Sequence, residues 1–139
     1  MGTFHLFILG SYIDTNYNQI NFINPLPENL LFKFLNDKNI FIDNLSYIPF
    51  SIMALEAMSL GLIVIVSNQS GISSYINNGE NGFIFDSNKP SEISEILKDI
   101  LSNKFNLELL STSAIATAKE LSWDKIATQY LMIYRELLM

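Results

Sequence analysis

The sequence predicts an α/β fold in which a parallel sheet is flanked by helices. Three observations carry that expectation. Leu62–Val66 (LIVIV) is β-branched and apolar on both faces, the pattern of a central parallel strand covered on both sides. Short apolar runs alternate with helical patterns over short connections, as in a doubly wound sheet. The last third of the chain reads as helical.

In chain order, Phe4–Leu9 (FHLFIL) is an apolar run ended by Gly10, the mark of a buried strand. Ser11–Gln19 is polar and reads as a loop, and Ile20–Ile23 as a second short strand. Pro27 opens a helix where its missing N–H costs nothing, with Leu30, Leu31, Phe34 and Leu35 on one apolar face. Asn39–Ile42 is a brief strand, and Ser51–Leu60 a helix closed by Gly61. After Leu62–Val66, Gly71–Ile76 forms a short helix. Asn78-Gly79 and Asn81-Gly82 make tight turns, and Phe83–Phe85 is a last strand. Pro90 precedes a helix with Ile93, Ile96, Leu97, Ile100 and Leu101 on one side. Leu110, Ala114, Ala118 and Leu121 stripe the helix Leu107–Glu120. Ser122 caps a final helix whose inner face holds Trp123, Ile126, Tyr130, Tyr134 and Leu137.

The chain has 139 residues, 49% of them hydrophobic and 16% charged, which excludes a disordered chain and suits one domain spanning residues 1–139. Its C-terminal helices occupy about residues 90–139. The net charge of −6 argues against nucleic-acid binding, which needs clustered Lys and Arg. The absence of cysteine excludes disulfides, thiolate metal sites and Cys nucleophiles. His5 is the sole histidine and lies in an apolar run, so multi-His metal sites and Ser-His-Asp catalysis are excluded, and neither a metal nor a cofactor is expected. The stretch Leu45–Val66 is long and apolar enough to span a bilayer. Pro49, Glu56 and Gly61 interrupt it and no Lys or Arg flanks it closely, so it reads as a helix and a strand, with no transmembrane segment expected. The N-terminus lacks a basic signal-peptide region, and a cytoplasmic location is expected, peripheral to the membrane only through a partner.

Between Asn44 and Gly79 the only charged residue is Glu56. A buried, unpaired carboxylate costs several kcal/mol, so Glu56 either meets a partner or faces a cleft. A carboxylate on a rigid helix in a cleft suits a vicinal diol such as a ribose; the alternative is a structural anchor. The strand Leu62–Val66, the small polar loop Ser67–Gly71 and the N-terminus of the helix that follows form an arrangement able to present backbone N–H groups to an anion. No Gly-x-Gly-x-x-Gly and no phosphate loop ending in Gly-Lys-Ser is present.

Read in order, Ala54-Leu55-Glu56-Ala57-Met58-Ser59-Leu60-Gly61 resembles the "LEAM-x-x-G" block of the retaining GT-B glycosyltransferases of group 1, the family typified by sucrose synthase and bacterial mannosyltransferases. The resemblance continues through Val64-Ile65-Val66-Ser67, Gly71-Ile72, Asn78-Gly79-Glu80-Asn81-Gly82-Phe83-Ile84-Phe85, Pro90 with its helix, and Leu121-Ser122-Trp123 with Tyr134. Upstream, Phe7-Ile8-Leu9-Gly10 is similar to the family strand ending in glycine. The resemblance covers nearly the whole chain but only about half of one such enzyme. It implies a Rossmann-like domain, the C-terminal, donor-binding half of a GT-B fold without its first βα unit. It implies a nucleotide diphosphate sugar as ligand, with Glu56 accepting hydrogen bonds from the ribose. The backbone around Ser51, Ile52 and Met53 faces the distal phosphate and sugar, Phe50 stands for the aromatic of the Glu-Gly-Phe-Gly turn, and Gly71 for a glycine of the later Gly-Gly-x-x-Glu pattern.

The departures weigh equally. Ile48 stands where the family has a sugar-contacting glutamate, Pro49 and Ser51 where it has glycines, Ser70 for the first glycine of the later pattern and Ser74 for its glutamate. The family's basic pair for the diphosphate normally precedes the strand matched by Phe4–Leu9, and no Arg or Lys precedes Lys33. No catalytic residue is assigned, and the chain alone is not expected to catalyse transfer. Two readings follow. One is a glycosyltransferase donor half completed by an acceptor-binding partner chain or acting as a homodimer. The alternative is a noncatalytic interaction domain that has kept the fold.

Overall fold

The computed structural model describes residues 6–9, 20–44, 47 and 49–138. They form two compact units divided between Asp37 and Lys38. His5, the segment 11–19 and Ile48 lie outside the described residues.

In the first unit, β1 (Leu6–Leu9) and β2 (Ile20–Ile23) pair in parallel, Leu6 opposite Ile20 and Leu9 opposite Ile23. Helix α1 (Glu28–Asn36) begins directly after Pro27, whose fixed φ of −58° suits a helix start and whose carbonyl accepts from the N–H groups of Leu30 and Leu31. The expected apolar face is only partly covered. Leu35 is buried and the Phe34 ring meets Phe7 edge-on at 5.5 Å, whereas Leu30 is largely exposed.

The second unit is a parallel three-stranded sheet with β4 (Ile63–Ser67) between β3 (Ile40–Asp43) and β5 (Phe83–Phe85). Every residue of β4 is buried, as a run apolar on both faces requires. Side chains alternate across a strand. Ile63 and Ile65 join Phe83, Phe85, Ile100 and Leu110 in one cluster, packed by Ile93, Ile96 and Leu97 of α3 (Ser91–Leu101). Val64 and Val66, pointing the other way, are equally buried. Burying each such side chain contributes about 1.5–3 kcal/mol. Helix α2 (Ile52–Ser59) packs on β3, β4 and α4 (Leu107–Glu120), burying Ala54, Ala57 and Met58. The expected stripe of α4 is buried at Leu110, Ala114 and Ala118, with Leu121 half-buried.

The stretch Leu45–Val66 therefore divides into α2 and β4, and no helix among the described residues is long and apolar enough to cross a membrane. Gly61 ends α2 as expected, with a φ of +79°. Its N–H donates to Met58 and that of Leu62 to Ala57, the paired bonds of a Schellman motif that satisfy the last carbonyls. The short helix expected over Gly71–Ile76 is a 3₁₀ turn, Gly71–Tyr75.

The final helix, α5 (Trp123–Leu137), corrects one expectation. Its residues Trp123, Tyr130, Tyr134 and Leu137 are exposed, Ile126 is half-buried, and none of its residues is buried. The stripe is present in the sequence, but among the described residues no element packs over it. Ser122 precedes the helix in extended backbone, yet its side chain makes no capping bond.

Candidate functional site

In parallel sheets, ligands bind beyond the carboxyl ends of the strands. At that end of β3 and β4 stand the loop that enters α2 and the 3₁₀ turn Gly71–Tyr75. Ser51 makes the entry. Its extended backbone (φ −91°, ψ 98°) breaks the incoming chain from the helix, and its Oγ accepts from the Ala54 N–H at 3.2 Å. Its carbonyl accepts from Leu55. The N–H groups of Ile52 and Met53 then have no acceptor within the helix. The first turn carries no acidic side chain to neutralise the positive end of the helix dipole. Ile52 and Met53 themselves are exposed, at 58% and 37%.

Glu56 lies one turn further, four residues after Ile52 and three after Met53, and so shares their side of α2. It is half-buried, while Ala54, Ala57 and Met58 hold the opposite side in the core. Gly71 sits against the entry loop: a Cβ built on it would lie 1.8 Å from the Pro49 carbonyl oxygen. Four residues on, the Tyr75 ring meets the Phe50 ring edge-on, centroids 6.0 Å apart. Phe50, Ser51, Ile52, Met53 and Glu56 are thus placed along the start of α2, and Gly71 is joined to them through Pro49. Ser74 turns its hydroxyl onto the Gly71 carbonyl at 2.8 Å.

Two residues of this region were not singled out by sequence reasoning. Tyr75 occurs in a segment too short for periodicity to assign it a face. The sequence pattern gives Asn81 only as part of a turn, but its side chain is buried and hydrogen-bonded through both its oxygen and its nitrogen. Its Oδ1 accepts from Asn77 at 2.7 Å, and its Nδ2 donates to the Tyr75 carbonyl at 2.9 Å and to Thr117 Oγ1 of α4 at 2.8 Å. Asn81 therefore ties the far end of the 3₁₀ turn to the helix that also backs α2.

At the carboxyl end of β5 a second polar network closes on itself. The Asn88 backbone N–H donates to Asp86 Oδ1 at 2.9 Å, and the Asp86 N–H donates to Glu92 Oε2 at 2.9 Å. Asn68, following β4, accepts from the Ser87 N–H at 3.2 Å. The Asn88 backbone bond, aided by the Asn88 side chain, Lys89 and Asn68 and opposed by partial desolvation, holds the Asp86 carboxyl below its ordinary value of 3.8. Two open concavities, of about 160 and 290 Å³, adjoin Gly79 before β5 and include none of the residues at the start of α2.

The sequence matches the model of the family described as "Glycosyl transferases group 1" over residues 14–120. The chain belongs to the group 1 glycosyltransferases. The D-inositol 3-phosphate glycosyltransferase of Paenarthrobacter aurescens (strain TC1) is 31% identical over 87 residues, covering 63% of this chain and 21% of that protein. The spore coat protein SA of Bacillus subtilis (strain 168) is 27% identical over 135 residues, covering 95% of this chain and 35% of that protein. Among solved structures, the sucrose-phosphate synthase of Thermosynechococcus elongatus superposes with a TM-score of 0.75 at 23% identity, covering 87% of this chain and 31% of that one. The Anabaena protein HepE, solved in complex with UDP, superposes with a TM-score of 0.71 at 16% identity over 88% of this chain and 33% of its own. At these identities the structural likeness shows the fold alone, the α/β architecture of a GT-B domain. The chain spans between a fifth and about a third of the length of these relatives.

Proposed function

We propose that this group 1 glycosyltransferase chain is the donor-binding half of the enzyme and holds a nucleotide diphosphate sugar at the start of α2. The observation that carries the reading is the uncharged first turn of α2, backed by Gly71 and followed one turn later by Glu56. In this reading Glu56 accepts hydrogen bonds from the two ribose hydroxyls. The backbone around Ser51, Ile52 and Met53 faces the distal phosphate and the sugar, Phe50 closes the entry, and Gly71 leaves room for the loop. HepE, which shares the fold, was solved both with UDP and with UDP-glucose, and that supports a nucleotide sugar as the ligand class.

Transfer from such a donor needs the charge of the departing diphosphate stabilised. The positive end of α2 supplies part of that stabilisation, and donors aimed at developing charge in a dry site are worth far more than in water. The acceptor and the remaining cationic groups are supplied by further chain or by a partner subunit, in the cytoplasm where activated sugars are made. Thermal unfolding against millimolar UDP, GDP, ADP and their sugar conjugates tests the reading. A ligand at 100 times its dissociation constant stabilises by about 2.7 kcal/mol. One nucleotide should raise the midpoint, and Glu56→Ala should abolish the rise. No rise with any of them contradicts the reading.

A further inference from the structure

Resting on that donor-site reading, we propose that Tyr75 is a specificity-determining residue that recognises the donor's sugar by stacking against the C–H face of its ring, in place of recognition by a carboxylate.

The side chain is held as such a platform must be. Its ring meets Phe50, in the loop that enters α2, edge-on at 6.0 Å. Its carbonyl accepts from Asn81, whose same amide nitrogen bonds Thr117 of α4, so the backbone beneath the ring is tied to a helix. Gly71, at the start of the same turn, is pressed on the Pro49 carbonyl. Fixed at both ends of its turn, Tyr75 nevertheless remains 47% exposed. The groups beside the helix start are also apolar and exposed, namely Ile52 and Met53. Ser74, the residue before Tyr75, has its hydroxyl bonded to the Gly71 carbonyl.

A pyranose has a C–H face that packs on an aromatic ring, while its hydroxyls stay toward water or other donors. Such a surface distinguishes a nucleotide that carries a sugar from one that does not. It discriminates weakly between sugars that differ in the configuration of one hydroxyl, because no buried polar group is left unpaired by the wrong one.

Calorimetric titration of the full chain tests this with UDP against UDP-glucose, and with the GDP/GDP-mannose and ADP/ADP-glucose pairs in parallel. The sugar conjugate should bind about tenfold more tightly than the bare diphosphate. Tyr75→Phe should keep that ratio, and Tyr75→Ser should bring it near one while leaving affinity for the diphosphate unchanged. Two results overturn the proposal with the donor site intact: a wild-type ratio near one, or a ratio preserved in Tyr75→Ser, whether or not both ligands weaken together. Failure of the wild type to bind any of the six ligands overturns the donor-site reading itself, and the proposal with it.

Discussion

Gly71 lies so close to Pro49 that a Cβ on it would stand 1.8 Å from the Pro49 carbonyl oxygen and 2.8 Å from the carbonyl carbon. Real Cβ atoms do not approach backbone this way, so the turn after β4 and the loop before α2 form one unit only because residue 71 has no side chain. The two segments are 22 positions apart in sequence, and this contact places Tyr75 beside Phe50.

Gly71→Ala therefore forces the entry loop of α2 away from the turn. A loss of about 1–3 kcal/mol is expected, the range for inserting a methyl group into a packed site, together with loss of nucleotide binding. Urea unfolding and the nucleotide thermal shift read the two effects. An alanine variant with unchanged midpoint and unchanged shift would contradict the description of the loop.

Gly61 tests the other end of α2. Its φ of +79° is strained for any side chain, and a Cβ there would lie 2.6 Å from Ser111 Oγ of α4. Gly61→Ala should cost about 1–2 kcal/mol from the left-handed backbone alone. Removing the Ser111 hydroxyl with Ser111→Ala, which suits a helix, should recover the part that comes from the clash, read as the coupling in a double-mutant cycle. A coupling of zero would show that the clash contributes nothing.

Asn81 carries three hydrogen bonds through one buried amide, to Asn77, Tyr75 and Thr117. Asn81→Leu keeps much of the volume but leaves a buried N–H and a carbonyl unpaired, and should destabilise by about 2–3 kcal/mol in urea. The Asn81→Asp variant retains the acceptor for Asn77 and loses both donors, so it should also fall below the wild type. A change under about 0.5 kcal/mol in both would mean that water replaces the amide without loss.

The acid limb of stability should carry a contribution from Asp86. Its folded-state pKa is lowered, chiefly by the Asn88 backbone N–H, so its stabilising effect is present above the unfolded value of 3.8 and disappears as pH falls through the lower folded value. Stability measured by urea unfolding should not respond to this group between pH 5 and pH 8 by the usual carboxylate titration range. Below about pH 4 the wild type should lose stability more steeply than Asp86→Asn. Parallel acid limbs for the two proteins would refute the assignment.

How far the fold can be read from sequence depends on what each pattern encodes. The run Leu62–Val66 announces a strand covered on both faces because apolar residues alternate into both layers, and β4 is buried throughout. Gly61 announces the end of α2 because a left-handed residue there is a local requirement of the backbone. The stripe on α5 announces only which side of the helix is apolar. Burial depends on what meets that side, and Trp123 and Tyr134 stand in solvent. The residues around Glu56 were legible as a block because consecutive positions on one helix stay together. Tyr75 and Asn81 were not, because their importance comes from contacts with Phe50 and Thr117 that no spacing encodes.

Whether a nucleotide diphosphate sugar sits at the start of α2 is read residue by residue by mapping backbone amide shifts by NMR during titration with UDP-glucose, and with its GDP and ADP counterparts. The largest shifts are expected at the amides of Ile52, Met53, Glu56 and Gly71, saturating together at one dissociation constant. Shifts centred instead on the Asp86–Glu92 loop or around Gly79, or none with any of the three, would contradict it.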